Sequence, residues 1–340
     1  MPETLVDDGT VKRVTLKDVA RTADVSLASA SYALNGTGSL GEAVRAHILK
    51  VAEQLGYRRN LSARAMRTGK TGAIGLVVPD FANPFFTALA QFVMKSARQA
   101  GYCVFVTDTE NSESLEQEAF RRMIDRGVDG VVWFPIRDVN TVEAESRRVP
   151  TLLIDRSIPG LASIRADYEG GGRRAAEHLM ALGHTRIGIV SGPMEVASMR
   201  ARVDGATAVL GDRLAFRAAS SFSMELEREV HEAVVSRRAT AIFAGTDLLA
   251  LGVMRAAQGA GLDVPGDLAV IGFGDMPSAQ MANPPLSSIE MPLEDMAAEA
   301  VDALLRRIDG VAAEMPVDVV FDTALIVRAS TAEEALASLK

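Results

Sequence analysis

The sequence predicts two fold classes in one chain: a small all-α head, followed by a larger α/β body made of two similar lobes. Three observations predict this. Short helical periodicities broken by turn residues fill the first part of the chain, and from Ala73 apolar strands alternate with helices in two successive series. Charge divides at the same place. The net charge is −8, yet residues 11–70 hold eleven Lys/Arg against four acids, whereas the chain from Thr71 onward holds 25 bases and 37 acids. A compact basic head on an acidic body is expected when one module alone meets phosphate. At 340 residues the chain exceeds one ordinary domain, and 48% hydrophobic residues suffice for large buried cores.

In the head, Leu16, Val19, Ala20 and Ala23 fall on one helical face, with Thr15 where an N-cap belongs. Asp24 suits the tight turn that follows, because Asp tolerates left-handed backbone better than most non-glycine residues. Val25 is placed to plug the angle between two helices. Ser26 caps a second helix, Leu27 to Leu34, which stops at Asn35-Gly36. A third, Glu42 to Leu55, ends at Gly56 and turns Val44, Ile48, Val51 and Leu55 inward. Three short helices with a four-residue corner between the first two make a helix-turn-helix. Periodicity alone leaves this one small helical bundle among many.

The residues themselves narrow it. Val14-Thr15-Leu16-Lys17-Asp18-Val19-Ala20, Ala23-Asp24-Val25-Ser26, Leu34-Asn35, Glu42-Ala43-Val44-Arg45, Ala52-Glu53-Gln54-Leu55-Gly56-Tyr57 and Asn60 together resemble the DNA-binding head of the LacI/GalR family of bacterial repressors. The resemblance runs nearly the length of the chain. It implies a second helix in the major groove and DNA contacts from Thr15, Ser26, Leu27, Ala28, Ser29, Tyr32, Asn35 and Asn60. Leu27 and Ala28 cannot make bidentate hydrogen bonds to bases, so apolar contacts, such as thymine methyls, are expected there. Ser29 and Tyr32 are left for polar readout, although Tyr32 is equally suited to a phosphate. Asp24 stands where the family has glycine.

Residues 61–71 form the next segment. Ser62 to Thr71 has the composition of a short helix ending at Gly69, marginal in free solution at that length. The resemblance implies a hinge helix that folds when two subunits meet on DNA, with contacts from Ala63, Arg64 and Met66. Met66 stands where the family has a leucine that wedges into the minor groove and kinks the duplex. A plain linker is the other reading.

In the body, strands read at Ile74–Val78, Cys103–Thr107, Val131–Phe134 and Leu152–Asp155, then at Ile187–Ser191, Ala241–Ala244 and Leu268–Phe273. Helices between them include Pro84–Gly101, Gly170–Gly183, Ser198–Gly211 and Asp247–Gly261. Repeated βα units indicate parallel sheets, with a ligand cleft where the carboxyl ends of the strands face each other. Asn83-Pro84-Phe85-Phe86, Asp155-Arg156, Arg202-Val203-Asp204-Gly205, Val270-Ile271-Gly272-Phe273 and Val327-Arg328-Ala329-Ser330-Thr331 resemble the same family's sensor, itself similar to periplasmic sugar-binding proteins. The full expectation is an all-α helix-turn-helix head (residues 14–60) plus an α/β two-lobed periplasmic-binding-protein-like sensor domain (72–331). Tails are expected at 1–13 and 332–340. By analogy one lobe takes about 72–166 and 292–320, the other 167–291 and 321–331.

For effector contacts the resemblance puts Arg202 first, since its fork of donors suits vicinal hydroxyls or a carboxylate; otherwise it is a surface arginine. Asp155 ends a strand and either accepts hydroxyl hydrogens or caps the next turn. Phe86, Trp133 or Phe134, and Phe222 are expected as apolar walls, though any of them could be core. Thr246 replaces a family asparagine before Asp247, which itself could be only a cap. The run Phe273-Gly274-Asp275 lacks the first of two family acids, the one that binds effector hydroxyls. Either the ligand is not an ordinary sugar, or Asp275 or a water substitutes, or the ligand has been lost.

Single Cys103 fits a reducing compartment, and sits in an expected buried strand. Signal-peptide and membrane-spanning patterns are absent, and no metal-ligand spacing or nucleophile–base set appears, so a cytoplasmic non-enzyme without cofactor is expected. The expected function is a repressor that binds a near-palindromic operator in double-stranded DNA as a homodimer. A small-molecule effector, a sugar or related metabolite, would modulate it. With only nine residues after Thr331, too few for a tetramerising heptad helix, a dimer is expected. The alternative is a cytoplasmic small-molecule-binding protein of the same fold whose main role is not transcription.

Overall fold

The computed structural model describes residues 14–57, 69–311 and 318–331. In the head, α1 (Leu16–Thr22), α2 (Leu27–Asn35) and α3 (Glu42–Gln54) pack around Val19, Ala20, Ala30, Ala33, Leu34, Ile48, Val51 and Ala52. Thr15 begins α1 with a capping box: its hydroxyl accepts from the Asp18 amide, and the Asp18 carboxylate accepts from the Thr15 amide at 2.9 Å. Asp24 takes the left-handed conformation the turn requires, at φ +51°. Ser26 caps α2 by accepting from the Ser29 amide at 3.0 Å, and Gly36 ends it at φ +70°. Val44, expected inside, is exposed. The head's core draws on α3 only from Ile48 onward, so no apolar layer covers the first turn of α3.

The body contains two six-stranded sheets. The first holds β1 (Ala73–Val78), β2 (Cys103–Asp108), β3 (Gly130–Trp133), β4 (Thr151–Ile154), β5 (Ala162–Ala166) and β11 (Asp318–Phe321), in the order β11-β5-β4-β3-β1-β2, all parallel. The second holds β6 (Ile187–Ser191), β7 (Leu214–Ala219), β8 (Ala241–Ala244), β9 (Ala269–Gly274), β10 (Ser287–Glu290) and β12 (Ala324–Ile326). Its order is β12-β10-β9-β8-β6-β7, parallel except for β12. The chain crosses between lobes three times: after β5, after β10, and between β11 and β12.

Central strands such as β3, β4, β6 and β8 are buried at every residue, which is why they read as unbroken apolar runs rather than alternations. Helices α4 (Pro84–Gln99), α5 (Glu113–Asp125), α6 (Glu143–Ser146) and α12 (Leu293–Ile308) serve the first lobe. Helices α7 (Tyr168–Ala181), α8 (Ala197–Leu210), α9 (Arg228–Val235), α10 (Asp247–Gly259) and α11 (Pro277–Met281) serve the second. One apolar core runs from Ile74 and Leu152 through to Ile271 and Phe273, and each sheet has a further core on its other face.

Glycines set one approach that matters for the site. A Cβ at Gly172 in α7 would run into the Arg202 carbonyl, and one at Gly205 in α8 would run into that of Glu169. Within the glycine run that opens α7, Gly172 is therefore the point of contact with α8, while Gly171 lies against Phe273 and Ile289. Cys103 is exposed, contrary to expectation, because β2 is the edge strand of its sheet and its early residues alternate in burial.

Candidate functional site

The expected site residues fall on two surfaces, one in each unit. In the head, the first turns of α2 present Leu27 and Tyr32, 46% and 48% exposed, beside an exposed Ala28. Neither Leu27 nor Tyr32 belongs to the head's own core. Ser29 and Ser26 share a hydroxyl–hydroxyl hydrogen bond at 2.9 Å, and the Asn35 amide nitrogen donates to Ser31 Oγ at 3.1 Å. Thr15 and Ser26 thus act first as caps. Asn60, Ala63, Arg64 and Met66 lie outside the described residues.

The second surface is a cleft between the lobes with about 710 Å³ of empty space, mouth included. The loop before α4 and the start of that helix supply Asn83, Phe85 and Phe86, while the end of β4 supplies Asp155 and Arg156. From the second lobe come Met199 and Arg202 of α8, Phe222 beyond β7, Thr246 and Asp247 at the start of α10, Phe273 and Gly274 at the end of β9, and then Met276 and Met291. Four phenylalanines and three methionines share the wall with polar side chains, among them Asn83, Arg156, Ser198 and Ser278.

Arg202 is 6% exposed, and its guanidinium carbon lies 4.1 Å from the Phe273 ring centroid and 4.8 Å from that of Tyr168. Cation–π contact with two rings offsets part of the cost of burying that charge. Its Nη1 donates to the Gly245 carbonyl at 2.8 Å, Nη2 meets only the Met291 sulfur at 4.0 Å, and Nε has no partner. Burial lowers its pKa, opposed by Tyr168, Asp155 and Asp247 nearby.

Asp155 sits at φ +72° and accepts a hydrogen bond from the Tyr168 hydroxyl, whose pKa burial and that carboxylate hold well above 10. Asp247 accepts from Ser288 Oγ at 2.6 Å and from the Met276 amide at 2.7 Å. Burial raises its pKa to about 6 in spite of those two donors. Thr246 Oγ caps α10 by accepting from the Leu249 amide.

Phe86, Asp155, Arg202, Phe222 and Thr246 are brought together in this cleft, and two other expected residues are not. Trp133 is fully buried on the far face of the first sheet, edge-to-face with Phe120, and its indole donates to Glu116 Oε1 at 2.8 Å. Its neighbour Phe134 points the other way and backs Phe85 and Phe86, as strand alternation requires. Asp275 forms a two-point ion pair with Arg328, one arm at 2.9 Å, and its amide donates to Ser288 Oγ. That pair turns its carboxylate away from the cleft, so Asp275 does not replace the acid missing at Gly274. Met199, Met276 and Met291, which line the cleft, and Tyr168, buried against Asp155 and Arg202, are marked by no local pattern, because tertiary packing alone brings them there.

A helix-turn-helix head joined to a two-lobed ligand-binding body defines a ligand-responsive DNA-binding regulator. The chain matches bacterial regulatory proteins of the lacI family over residues 15–60 and a periplasmic binding protein-like domain over residues 176–331. It is 32% identical to the HTH-type transcriptional regulator MalR of Streptomyces coelicolor, over 93% of this chain and 96% of that one. Identity to catabolite control protein A of Priestia megaterium is 31%, over 86% of this chain and 92% of that one. The lac repressor dimer bound to operator and the anti-inducer ONPF superposes with a TM-score of 0.82 at 26% identity, over 94% of this chain and all of that one. The chain belongs to the lacI family of bacterial regulatory proteins.

Proposed function

We propose that this protein represses transcription in the cytoplasm, on the nucleoid, as a homodimer on a near-palindromic operator, released or retained by a small molecule in the interlobe cleft. Residues 14–60 bind DNA, 61–71 act as the hinge, with Met66 as its wedge, and 72–331 bind effector and pair subunits. Leu27, Ala28, Ser29 and Tyr32 read the major groove; Asn60, Ala63 and Arg64 extend the contact. The observation that carries this reading is the uncovered start of α2, where Leu27 and Tyr32 stand clear of the head's own core. Similarity to the operator-bound lac repressor dimer supports pairing and the DNA target. A recognition helix reads one half-site, so a symmetric pair reads a palindrome.

The test is footprinting of the full chain on DNA upstream of its own gene, followed by gel shifts on the protected site. Leu27→Ala or Tyr32→Ala should weaken specific binding by about tenfold, equivalent to roughly 1.4 kcal/mol, and leave nonspecific binding unchanged. Equal loss of both would overturn the assignment of α2. Absence of any protected site would overturn the function.

A further inference from the structure

The side-on edge of the Arg202 guanidinium carries two donors, Nε and Nη2, for which no oxygen among the described residues is a hydrogen-bond acceptor. Nε and Nη2 point the same way from the guanidinium plane; Nε is buried without a partner, and Nη2 touches only sulfur at 4.0 Å. Nη1 is already held by the Gly245 carbonyl, which fixes the plane, and stacking against Phe273 fixes its tilt. Among the described residues no carboxylate lies within ion-pairing distance of Arg202, although it is 6% exposed. A fixed pair of parallel N–H donors on a charged group matches the two oxygens of a carboxylate.

Acceptors are scarce by comparison. Among the described residues, Asp155 and Asp247 bring the only carboxylates that line the cleft, and three of those four oxygens already accept from Tyr168, Ser288 and the Met276 amide. At position 274 a glycine with φ +130° offers no side chain, and Asp275 is locked to Arg328. A polyhydroxylated sugar brings many hydroxyl donors, each needing an acceptor once water is excluded. This cleft holds one free carboxylate oxygen for them. The remaining wall is largely apolar, with Phe85, Phe86, Phe222, Phe273, Met199 and Met276; of its neutral polar side chains, Asn83 and Thr246 already accept from backbone amides, which leaves Ser198 and Ser278.

We infer that the ligand of this cleft is a small, largely apolar carboxylate, aromatic or alkyl, whose two oxygens sit in the Nε/Nη2 fork of Arg202 while its body lies among the phenylalanines and methionines. The single free oxygen of Asp155 has room for one hydroxyl donor on that body. This inference rests on the cleft being the effector site, and it narrows the effector to a chemical class.

The experiment is calorimetric titration of the full chain with benzoate, phenylacetate and hexanoate, with benzamide and methyl benzoate, and with glucose, ribose and maltose. At least one carboxylate should bind, and its uncharged amide or ester should bind at least tenfold more weakly. Arg202→Lys keeps the charge but loses the planar fork, so it should weaken the carboxylate at least tenfold, with folding checked by its thermal midpoint. The acid-against-amide comparison needs no variant, so a misfolded Arg202→Lys protein leaves the test intact. Saturable sugar binding without carboxylate binding would overturn the inference. So would equal affinity for acid and amide, or failure of every carboxylate at millimolar concentration. Footprinting with the same preparation separates the two readings: a protected operator without carboxylate binding removes the ligand class and leaves the regulator.

Discussion

Asp24 shows how a single side chain can meet a turn's demand at a cost. Its φ of +51° is left-handed, where an L residue with a Cβ is strained and glycine is not. Asp24→Gly should therefore stabilise the head by up to about 1 kcal/mol, the left-handed cost of roughly 1–2 kcal/mol less the roughly 0.5–1 kcal/mol of backbone entropy that glycine loses, and it removes a negative charge next to the DNA-reading helix. Thermal unfolding and gel shifts at two salt concentrations check both effects; an unchanged or lower midpoint would show that the Asp side chain compensates its own strain. Trp133 teaches the complementary lesson. Strand alternation predicts that either it or Phe134 faces the cleft, and nothing local decides which. The decision comes from Glu116 on a helix 17 positions earlier, whose carboxylate satisfies the indole N–H and so draws Trp133 to the opposite face.

Elements were legible where one physical pattern covered several residues. The caps at Thr15 and Ser26, the apolar stripe of α1, and the fully buried central strands all carry local signatures. Edge features did not: β2 alternates where a buried strand was expected, and Val44 is exposed because burial depends on what reaches the start of α3. The contact of α7 with α8 was readable only as a run of glycines. There, Gly172→Ala must push the Arg202 carbonyl away, costing about 1–3 kcal/mol by overpacking and tilting the guanidinium out of its stack. Urea unfolding should show the loss, and ligand affinity should fall with it. A second element-scale prediction concerns Asp247 at the head of α10. Its folded pKa of about 6 lies above the usual 3.8, so the folded state holds a proton that the unfolded chain has released. Stability contributed by this group is full below about pH 4 and is lost as pH rises through 6. The shift corresponds to roughly 3 kcal/mol. Asp247→Asn should abolish that slope, so the stability difference between wild type and variant should fall between pH 4 and 7. A difference constant with pH would refute the assignment.

At the scale of the molecule, one carboxylate couples the two lobes. Asp138 lies in the first lobe, between β3 and α6, and its Oδ2 accepts from the Ala197 amide at 2.9 Å, at the start of α8 in the second lobe. The same oxygen lies 3.4 Å from Arg200 of α8, while Oδ1 lies 3.5 Å from buried Arg156 in its own lobe. An amide, a positive helix end and two guanidiniums converge on one anion, so separating the lobes must pull a negative charge away from the first turn of α8. Asp138→Ala should populate an open arrangement. If closure is required for tight binding, affinity falls with the fraction of closed molecules, and a loss of about 1–2 kcal/mol lowers it by at most about 5- to 30-fold, the full factor being reached where the open form predominates. Asp138→Asn retains an acceptor for the Ala197 amide but not the charge, and should fall between the two. Scattering by the ligand-free variants reads the lobe separation, and titration with any ligand of the wild type reads affinity. An Asp138→Ala protein as compact as wild type, and binding as tightly, would mean that core packing through Phe273 and Met291, and not this carboxylate, holds the cleft shut.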